Sequence, residues 1–379
     1  MENYKYIDVY LHKKHIGTLA KTTANLCAFE YTDTWLLEGF AINPLTLPLI
    51  KKVFLPKFDP FDGLFGVFAD SLPDGWGRLV VDRFLARSNI APAKIDPLNR
   101  LAIVGSSGMG ALEYQPSHTL TQTSTLQDYD RLALECEKLL QTNNSDDLDE
   151  LFHLGGSSGG ARPKILTSLD GNDWIVKFPS AYDNKNIGET EYRYAECAKK
   201  CNIEMSECRL LPSKICSGYF ATQRFDRYHN AEGQPLKKHM LSVSALLETS
   251  HRFPNLDYND LMKLTLLLTR SATETEKLFR LMCFNVFAHN RDDHSKNFSY
   301  IYNEVTAAWH LAPAYDLTYS NSIGGEHATS VNGNGTAPNL DDLLAVAQTA
   351  TINKTKARNI ALEIAAIVKK DLGSILNNI

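Results

Sequence analysis

The spacing of hydrophobic residues changes along the chain, and this change limits the folds that the chain can adopt. Apolar and polar residues alternate over 6–11. A second strand-like run, at 15–20, follows after a short polar turn, as in a β-hairpin. From residue 261 onward apolar residues recur with helical spacing instead, over 261–270, 274–289 and 354–370. The chain is therefore predicted to begin in a β-rich part and to end in a helical one.

Strand and helix signals alternate in the middle of the chain. Strands are predicted over 164–168, 174–178 and 218–224, and a helix over 189–200 lies between the second and the third. This alternation is typical of a small mixed α/β lobe. A polar stretch before it is predicted to lead into another helix, over 126–140.

The Asn, Ser and Asp residues at 143–147 form a turn-prone stretch and are the preferred domain boundary. We expect an N-terminal subdomain with the start of an N-lobe, a β-rich lobe that carries a Gly-rich loop, and a helical catalytic lobe. Their expected bounds are 1–145, 146–235 and 236–379.

Composition excludes some classes of protein. The formal net charge of −5 argues against a protein that binds nucleic acid through its overall charge, because nucleic acid is itself negatively charged. The sequence starts without a secretory signal and contains no apolar run of roughly 18 residues, the length that a membrane span needs. Seven cysteines, an odd number without zinc-ribbon spacing, favour reduced thiols. We therefore expect a cytoplasmic protein with no membrane contact.

The segment 287–298 carries the strongest chemical signal, because ionisable and metal-binding side chains follow one another between a predicted helix and a predicted strand. Phosphoryl transfer needs a carboxylate to accept the proton of the attacking hydroxyl, and oxygen ligands for Mg²⁺. Protein-kinase catalytic loops place the base Asp five residues before the metal-binding Asn. Asp292 and Asn297 have that spacing and Asp293 does not, so Asp292 is the candidate base. Lys296 is a candidate to steady the transferred phosphate.

A second carboxylate, Asp316, follows the strand-like residues 307–311 and is the other candidate Mg²⁺ ligand. Kinases hold a metal-binding Asp in this kind of context. The competing interpretation is a polar loop that collects Asp, His and Asn as turn residues. The Lys, the Asn at the right spacing and the downstream Asp together favour the catalytic one.

Lys177 lies inside an apolar predicted strand, where a lysine is costly to bury unless it is paired. In kinases a strand lysine of this kind contacts the ATP phosphates and pairs with a helix Glu. Glu189 and Glu191, early in the following helix, are the candidate partners. A lysine that only extends its ammonium to the surface is the alternative.

A Gly-rich stretch at 155–160 precedes these strands, followed by the cations Arg162 and Lys164. Its glycines, Gly159 and Gly160 among them, allow backbone N–H groups to approach phosphate oxygens, although the spacing is neither a Walker A loop nor a Rossmann fingerprint. A plain Gly/Ser linker is the alternative.

Residues 223–227 close a predicted strand and are the candidate hinge that would hold adenine, with Gln223 and Phe225 nearest to it. For Asp226, an Arg/Asp pair that fixes a turn is an equally good interpretation.

Taken together, these motifs resemble the HipA family of bacterial toxin kinases. The resemblance spans roughly residues 5–335 and keeps the family's motif order. The similar segments are DSLPDGWGR (70–78), GGSSGGARPK (155–164), IVKFP (175–179), RFDR (224–227), MLS (240–242), DDHSKN (292–297) and AYDL (314–317).

The resemblance implies an α+β fold, two-lobed and protein-kinase-like, with an added β-rich N-terminal subdomain and an all-helical C-terminal lobe. It implies Mg-ATP-dependent phosphorylation of serine or threonine, with an aminoacyl-tRNA synthetase as the kind of target. It also implies a small helix-turn-helix antitoxin that binds operator DNA. By position, Asp292 would be the base, Asn297 and Asp316 the Mg²⁺ ligands, and Lys177 a phosphate contact.

Family members autophosphorylate on a serine in the Gly-rich loop, which ejects the loop and inactivates the enzyme. Ser157 falls at that position, with Ser158 as the neighbouring alternative. This sequence departs from the family pattern at Asp293, where Gly is common, and at Gln223, where an acidic residue can stand. Two other functions stay open: a small-molecule or lipid kinase of the same fold, and a DNA-tethered corepressor without catalysis.

Overall fold

The computed structural model describes residues 4–117, 128–181, 183–322 and 324–377. Within it the chain forms two compact units, each made of two chain segments. The first unit comprises Met1–Lys185 and Leu211–Thr249, and the second comprises Asn186–Leu210 and Ser250–Ile379.

The elements are named here in chain order. The strands are β1 (Tyr6–Leu11), β2 (Lys14–Lys21), β3 (Cys27–Tyr31), β4 (Leu112–Gln115), β5 (Lys164–Leu169), β6 (Asn172–Lys177), β7 (Cys208–Leu211), β8 (Tyr219–Gln223), β9 (Arg227–His229), β10 (Pro235–Lys237), β11 (Met240–Ser242), β12 (Leu256–Asp257), β13 (Ser299–Asn303), β14 (Ala308–Leu311) and β15 (Thr329–Ser330). The helices are α1 (Asp33–Glu38), α2 (Gly66–Ala69), α3 (Gly75–Arg87), α4 (Pro97–Val104), α5 (Tyr129–Thr142), α6 (Leu148–Gly155), α7 (Ile187–Lys200), α8 (Val243–Leu246), α9 (Tyr258–Thr269), α10 (Ala272–Phe287), α11 (Leu340–Thr349) and α12 (Lys354–Leu376).

An antiparallel sheet in the order β3-β2-β1-β4 forms the start of the first unit. The predicted hairpin is confirmed, since β1 and β2 pair along their length. Ile7, Val9 and Leu11 are fully buried on one face, as the alternation in β1 requires. Strand β4, about a hundred residues downstream, closes the other edge of β1.

A second sheet of the first unit places β6 between β5 and β8, all antiparallel. Helices α3, α5 and α6 pack on it, because each turns an apolar stripe toward the same cluster. The buried residues that share this cluster include Trp76, Val80, Leu132, Leu139, Leu151, Ile165, Trp174 and Val176. Burial of this apolar surface is the main force that holds the sheet and its helices together.

The ends of α5 show how local sequence sets a helix. Asp128 caps its start by accepting a hydrogen bond from Arg131 N at 3.1 Å. Asn143 ends it in the left-handed conformation, φ 59°. The predicted helix 126–140 is therefore observed from Tyr129 to Thr142, and residues 118–127, which include the preceding polar stretch, lie outside the described residues.

The second unit is mainly helical, built from α7 and α9–α12. The predicted helices 189–200, 261–270, 274–289 and 354–370 are all present, each shifted or extended by a few residues. One correction concerns the predicted all-helical lobe, since β13 and β14 form an antiparallel hairpin there. In β14 the buried Trp309 and Leu311 alternate with the half-buried Ala308 and the exposed His310, and this alternation favours a strand.

The compact units follow spatial contacts rather than chain order. Residues 143–147 join α5 to α6 inside the first unit, whereas α7 belongs to the second unit. The predicted division into 1–145, 146–235 and 236–379 stays a prediction.

Candidate active site

Two lysines face each other in the sheet of the first unit. In the β5–β6 register Lys164 lies directly opposite Lys177, which puts both side chains on the same face of the sheet. Both residues are buried, with 7% and 9% of their surface exposed. Like charges directly opposite each other destabilise a sheet, and buried charge is costly. Both ammonium groups would attract an anion that approached this face.

Each lysine also has a defined contact. The Lys164 ammonium donates a hydrogen bond of 2.5 Å to the carbonyl oxygen of Gly159. The Lys177 ammonium lies 5.6 Å from the centroid of the Phe220 ring, within the range of a cation–π interaction. Lys164 thus joins the sheet to the Gly-rich loop.

The Gly-rich loop, defined as residues 156–163, connects α6 to β5. Its two serines differ. Ser158 is buried, and its hydroxyl donates to the Gly155 carbonyl at 2.6 Å, whereas Ser157 is half-buried. Gly160 has a φ of 83°, a conformation that favours glycine, and its N–H donates to the Asp74 carboxylate.

The predicted hinge begins at the end of β8. Gln223 is the last residue of β8, lies opposite Trp174 of β6, and is half-buried, as is Phe225. The next residue, Asp226, is fully buried. Its carboxylate accepts hydrogen bonds from Arg224 Nη2 at 2.8 Å and from Arg227 Nη1 at 2.6 Å.

Asp226 also reaches across to another loop. It accepts a hydrogen bond from Gly110 N at 2.8 Å, while Arg227 Nη2 donates to the Gly108 carbonyl at 2.7 Å. Burial alone would raise the pKa of the Asp226 carboxyl, but Arg224 and Arg227 hold that pKa well below its usual value. These contacts favour the interpretation that Asp226 fixes a turn.

In the second unit, the predicted catalytic loop runs from the end of α10 to the start of β13. Side chains of α10 and α7 hold its first residues. Asn290 donates from its amide nitrogen to Asn285 Oδ1 at 3.0 Å, and the Tyr194 hydroxyl donates to the Ala288 carbonyl at 2.7 Å. The loop therefore leaves the helix in a fixed direction.

The two adjacent aspartates of this loop have different environments. Asp293 is buried and accepts hydrogen bonds from the Tyr258 hydroxyl at 2.9 Å and from His327 Nδ1 at 2.9 Å. Thr329 N donates to its other oxygen at 3.2 Å. The Asp292 side chain, in contrast, is 58% exposed. An exposed carboxylate can meet a substrate hydroxyl, which favours Asp292 as the base, and Asp293 supports the loop instead.

The same loop orients the other predicted residues. The amide nitrogen of Asn297 donates to the Asp292 carbonyl, so the amide oxygen is the atom with which Asn297 would coordinate a cation. His294 Nε2 lies 3.8 Å from Asp292 Oδ1, so the side chain beside the candidate base is a histidine. Lys296 and Asn297 lie in one turn of 3₁₀-helix, Ser295–Asn297.

The segment of Asp316 is tied to this loop at both ends. The hydroxyl of Tyr315 donates to the Lys296 carbonyl at 2.6 Å, and Ser320 N donates to the His289 carbonyl at 3.0 Å. Asp316 itself has a φ of 58°, an uncommon conformation for a residue other than glycine. Such backbone often occurs at functional sites. The structure thus joins the segment of Asp316 to the loop of Asp292, Lys296 and Asn297.

The predicted residues fall into two groups. Those of the second unit are Asp292, Lys296, Asn297 and Asp316, and those of the first unit are Ser157, Ser158, Gly159, Gly160, Lys164, Lys177, Gln223 and Phe225. The candidate partners of Lys177 lie on α7 of the second unit, where Glu191 is buried and Glu189 is in the first turn.

Several residues that support these loops were not identified from the sequence. The sequence assigns no role to Asp74 or to the partners of Asp293, which are Tyr258, His327 and Thr329. Each lies more than thirty residues from the group that it contacts. No local spacing rule indicates such pairs.

Two family models match the chain. The HipA N-terminal domain matches residues 7–115, and the HipA-like C-terminal domain matches residues 156–372. The second match alone covers more than half of the 379 residues, so the chain belongs to the HipA family.

The chain is also similar to individual proteins. Y4dM of Sinorhizobium fredii, named as a candidate kinase, is 28% identical over 96% of this chain and 90% of its own length. Y4mE of the same organism, named likewise, is 24% identical over 83% of this chain and 77% of its own length. Among solved structures, HipA of Shewanella oneidensis MR-1, from a complex with HipB and operator DNA, superposes with a TM-score of 0.71. That match has 17% sequence identity and covers 98% of this chain and 91% of the Shewanella chain. The predicted fold class, α+β and kinase-like of the HipA type, is confirmed.

Proposed function

We propose that this protein is a Mg-ATP-dependent serine/threonine protein kinase and the toxin of a HipBA-like toxin–antitoxin pair. The observation that carries the proposal is the buried pair Lys164 and Lys177, side by side on one face of a sheet at the base of a Gly-rich loop. Two cations placed in this way favour a polyanion such as the phosphates of ATP. Gln223 and Phe225, at the end of β8, would contact the adenine.

The residues of the catalytic loop suit phosphoryl transfer. Asp292 would orient the acceptor hydroxyl and take its proton, while Lys296 would balance charge on the transferred phosphoryl group. The oxygens of Asn297 and Asp316 are hard ligands of the kind that Mg²⁺ prefers, so these two residues would hold the ion. When bound, Mg²⁺ would neutralise charge on the ATP phosphates.

The Gly-rich loop would also carry the site of autophosphorylation. Ser158 is buried and its hydroxyl is engaged by the Gly155 carbonyl, whereas Ser157 is half-buried. Accessibility therefore supports Ser157 as the acceptor. The intact mass of protein made in cells is expected to show one added phosphate, which Ser157→Ala removes; a phosphate retained in that variant would reassign the site.

Membership of the HipA family and the likeness to the Shewanella HipA support the proposed partners. They are a small HipB-like helix-turn-helix antitoxin, operator DNA reached mainly through that antitoxin, and an aminoacyl-tRNA synthetase as the phosphorylated target in the cytoplasm. A short helix-turn-helix reading frame beside the gene, whose product co-purifies with this chain, is the expected finding.

The decisive test of the reaction is transfer of label from ATP. With Mg²⁺ and labelled ATP, the wild-type protein is expected to acquire label and to label a protein in lysate. Asp292→Asn is expected to reduce the rate by a factor of about 10²–10⁴ because the base is lost. Asp260→Asn is the matched control, since Asp260 is an exposed carboxylate on α9 of the same unit, with 61% of its side chain exposed.

Other outcomes would select another function. Labelling that is unchanged in Asp292→Asn would exclude Asp292 as the base. Turnover of a metabolite or lipid without any labelled protein would indicate a small-molecule kinase. No binding of ATP in a calorimetric titration would favour a binding protein without catalysis.

A further inference from the structure

The Gly-rich loop is attached to the start of helix α3 by its backbone. The N–H of Gly160 donates to the Asp74 carboxylate, and the carbonyl of Gly160 accepts a hydrogen bond from Trp76 N at 2.9 Å. The indole N–H of Trp76 donates to the Lys164 carbonyl at 3.0 Å. Three hydrogen bonds from two residues, Asp74 and Trp76, thus reach the loop and the first residue of β5.

The glycines of α3 allow this close approach. A Cβ atom at Gly75 would lie 2.5 Å from the Gly160 carbonyl oxygen, and one at Gly77 would overlap the carbonyl oxygen of Ser158. Contacts below 3.0 Å to a backbone atom force the backbone to shift. The DGWG stretch, residues 74–77, therefore forms a surface on which the backbone of the Gly-rich loop packs closely. The sequence alone does not show this role.

We infer that Asp74 is a positioning residue for the nucleotide site, and that its carboxylate latches the Gly-rich loop in the conformation observed here. The inference rests on the proposed function for its effect on ATP, but the latch itself is a property of the loop. Gly160 then serves as the anchor of the loop, because its N–H is occupied by Asp74. The neighbouring backbone N–H groups and the Lys164 ammonium, which donates to the Gly159 carbonyl, would then be the groups that contact the phosphates.

The latch matters because an ordered loop loses less conformational entropy when a ligand binds. A flexible loop must be ordered at binding, and that cost reduces affinity. A hydrogen bond from a backbone N–H to a carboxylate is charge-assisted and stronger than one between neutral groups. Loss of the latch therefore lowers affinity for ATP and leaves the transfer step itself largely unchanged.

The test uses three variants of the full chain. Asp74→Ala removes the acceptor, and Asp74→Asn keeps an oxygen that can accept the Gly160 N–H. Asp128→Ala is the matched control, since Asp128 also accepts a backbone N–H at a helix start in the first unit but caps α5. Amide hydrogen exchange in peptides that cover 155–163 measures the latch without any nucleotide.

We expect Asp74→Ala to increase amide exchange in the loop about tenfold, the loss expected for one charge-assisted hydrogen bond. We also expect it to raise KM for ATP about tenfold, with kcat changed by less than about threefold. Asp74→Asn is expected to stay within about threefold of wild type in exchange and KM, and Asp128→Ala to leave both unchanged.

The two hypotheses fail in different ways. If the wild-type protein binds no ATP, the proposed function is wrong, and the exchange measurement still decides the latch. If loop exchange in Asp74→Ala equals that of wild type, or if Asp74→Asn opens the loop as fully as Asp74→Ala, the latch is refuted. Tighter binding of ATP by Asp74→Ala would also refute it, because Asp74 would then compete with phosphate for Gly160.

Discussion

The Gly-rich loop of the first unit and the catalytic loop of the second unit are held in place by different means. The catalytic loop is fixed by a buried side chain, that of Asp293, which accepts hydrogen bonds from the side chains of Tyr258 and His327 and from the backbone N–H of Thr329. The Gly-rich loop is fixed mainly through its backbone, which lies on α3 and bonds to Asp74 and Trp76. A buried side-chain network is costly to disrupt, whereas a single half-buried hydrogen bond to a loop can open at modest cost. We therefore expect the catalytic loop to be the more rigid of the two, and the Gly-rich loop to open more readily.

The largest expected effect comes from breaking the network of the catalytic loop. Asp293→Ala leaves the buried His327 and Tyr258 without their acceptor and is expected to cost about 3–5 kcal/mol in the free energy of unfolding. Denaturation followed by hydrogen exchange in peptides of α9 and α10 reports this unit. Asp292→Ala is the control, expected to change that free energy by less than about 0.5 kcal/mol because its side chain is 58% exposed. Equal losses in both variants would contradict the division of roles.

A smaller effect is expected from Glu248, a half-buried carboxylate of the first unit. Its oxygen accepts hydrogen bonds from Gly66 N at 2.9 Å and Thr46 Oγ1 at 3.4 Å. Burial raises the pKa of Glu248 from 4.5 to about 7, so the folded state prefers the protonated form. Its contribution to stability is then complete below pH 4.5 and is lost as the pH rises through about 7.

Glu248→Gln keeps an acceptor but cannot ionise. It is expected to raise the free energy of unfolding at pH 8 by about 1–3 kcal/mol and to change it little at pH 4.5. Thermal unfolding of wild type and variant at pH 4.5, 6 and 8 measures the difference. A gain in the variant that is the same at every pH would show that Glu248 does not titrate in this range.

The smallest effect concerns the close packing under the Gly-rich loop. Gly77→Ala would push the Ser158 carbonyl away and is expected to raise loop exchange by roughly threefold to tenfold, with about 1 kcal/mol of lost stability. Gly373→Ala is the control, because among the described residues no atom beyond the chain neighbours and the backbone of α12 lies within 4 Å of a Cβ at Gly373. A loop that exchanges identically in both variants would mean that close packing on α3 does not hold it.

Local patterns in the sequence were sufficient for most secondary structure. The hairpin β1–β2 and the helices α9, α10 and α12 agree with prediction because a single apolar face marks each of them. The spacing from Asp292 to Asn297 likewise selected a candidate base, and the contrast in burial between Asp292 and Asp293 favours that choice. The errors are informative too. Strand β4 was not predicted, because its four residues become a strand only by pairing with β1.

The hydrophobic period of each element and the order of the motifs are properties of the sequence, and the match to the HipA family follows from them. Which residues meet became known only from the folded chain. It placed Lys164 opposite Lys177, buried Asp293 among Tyr258 and His327, and brought Asp74 to Gly160, 86 residues further along the chain. The reason is that the two kinds of information span different distances along the chain. Periodicity reports how a segment meets a core, whereas charge pairs and hydrogen bonds between distant segments form only after the chain has packed.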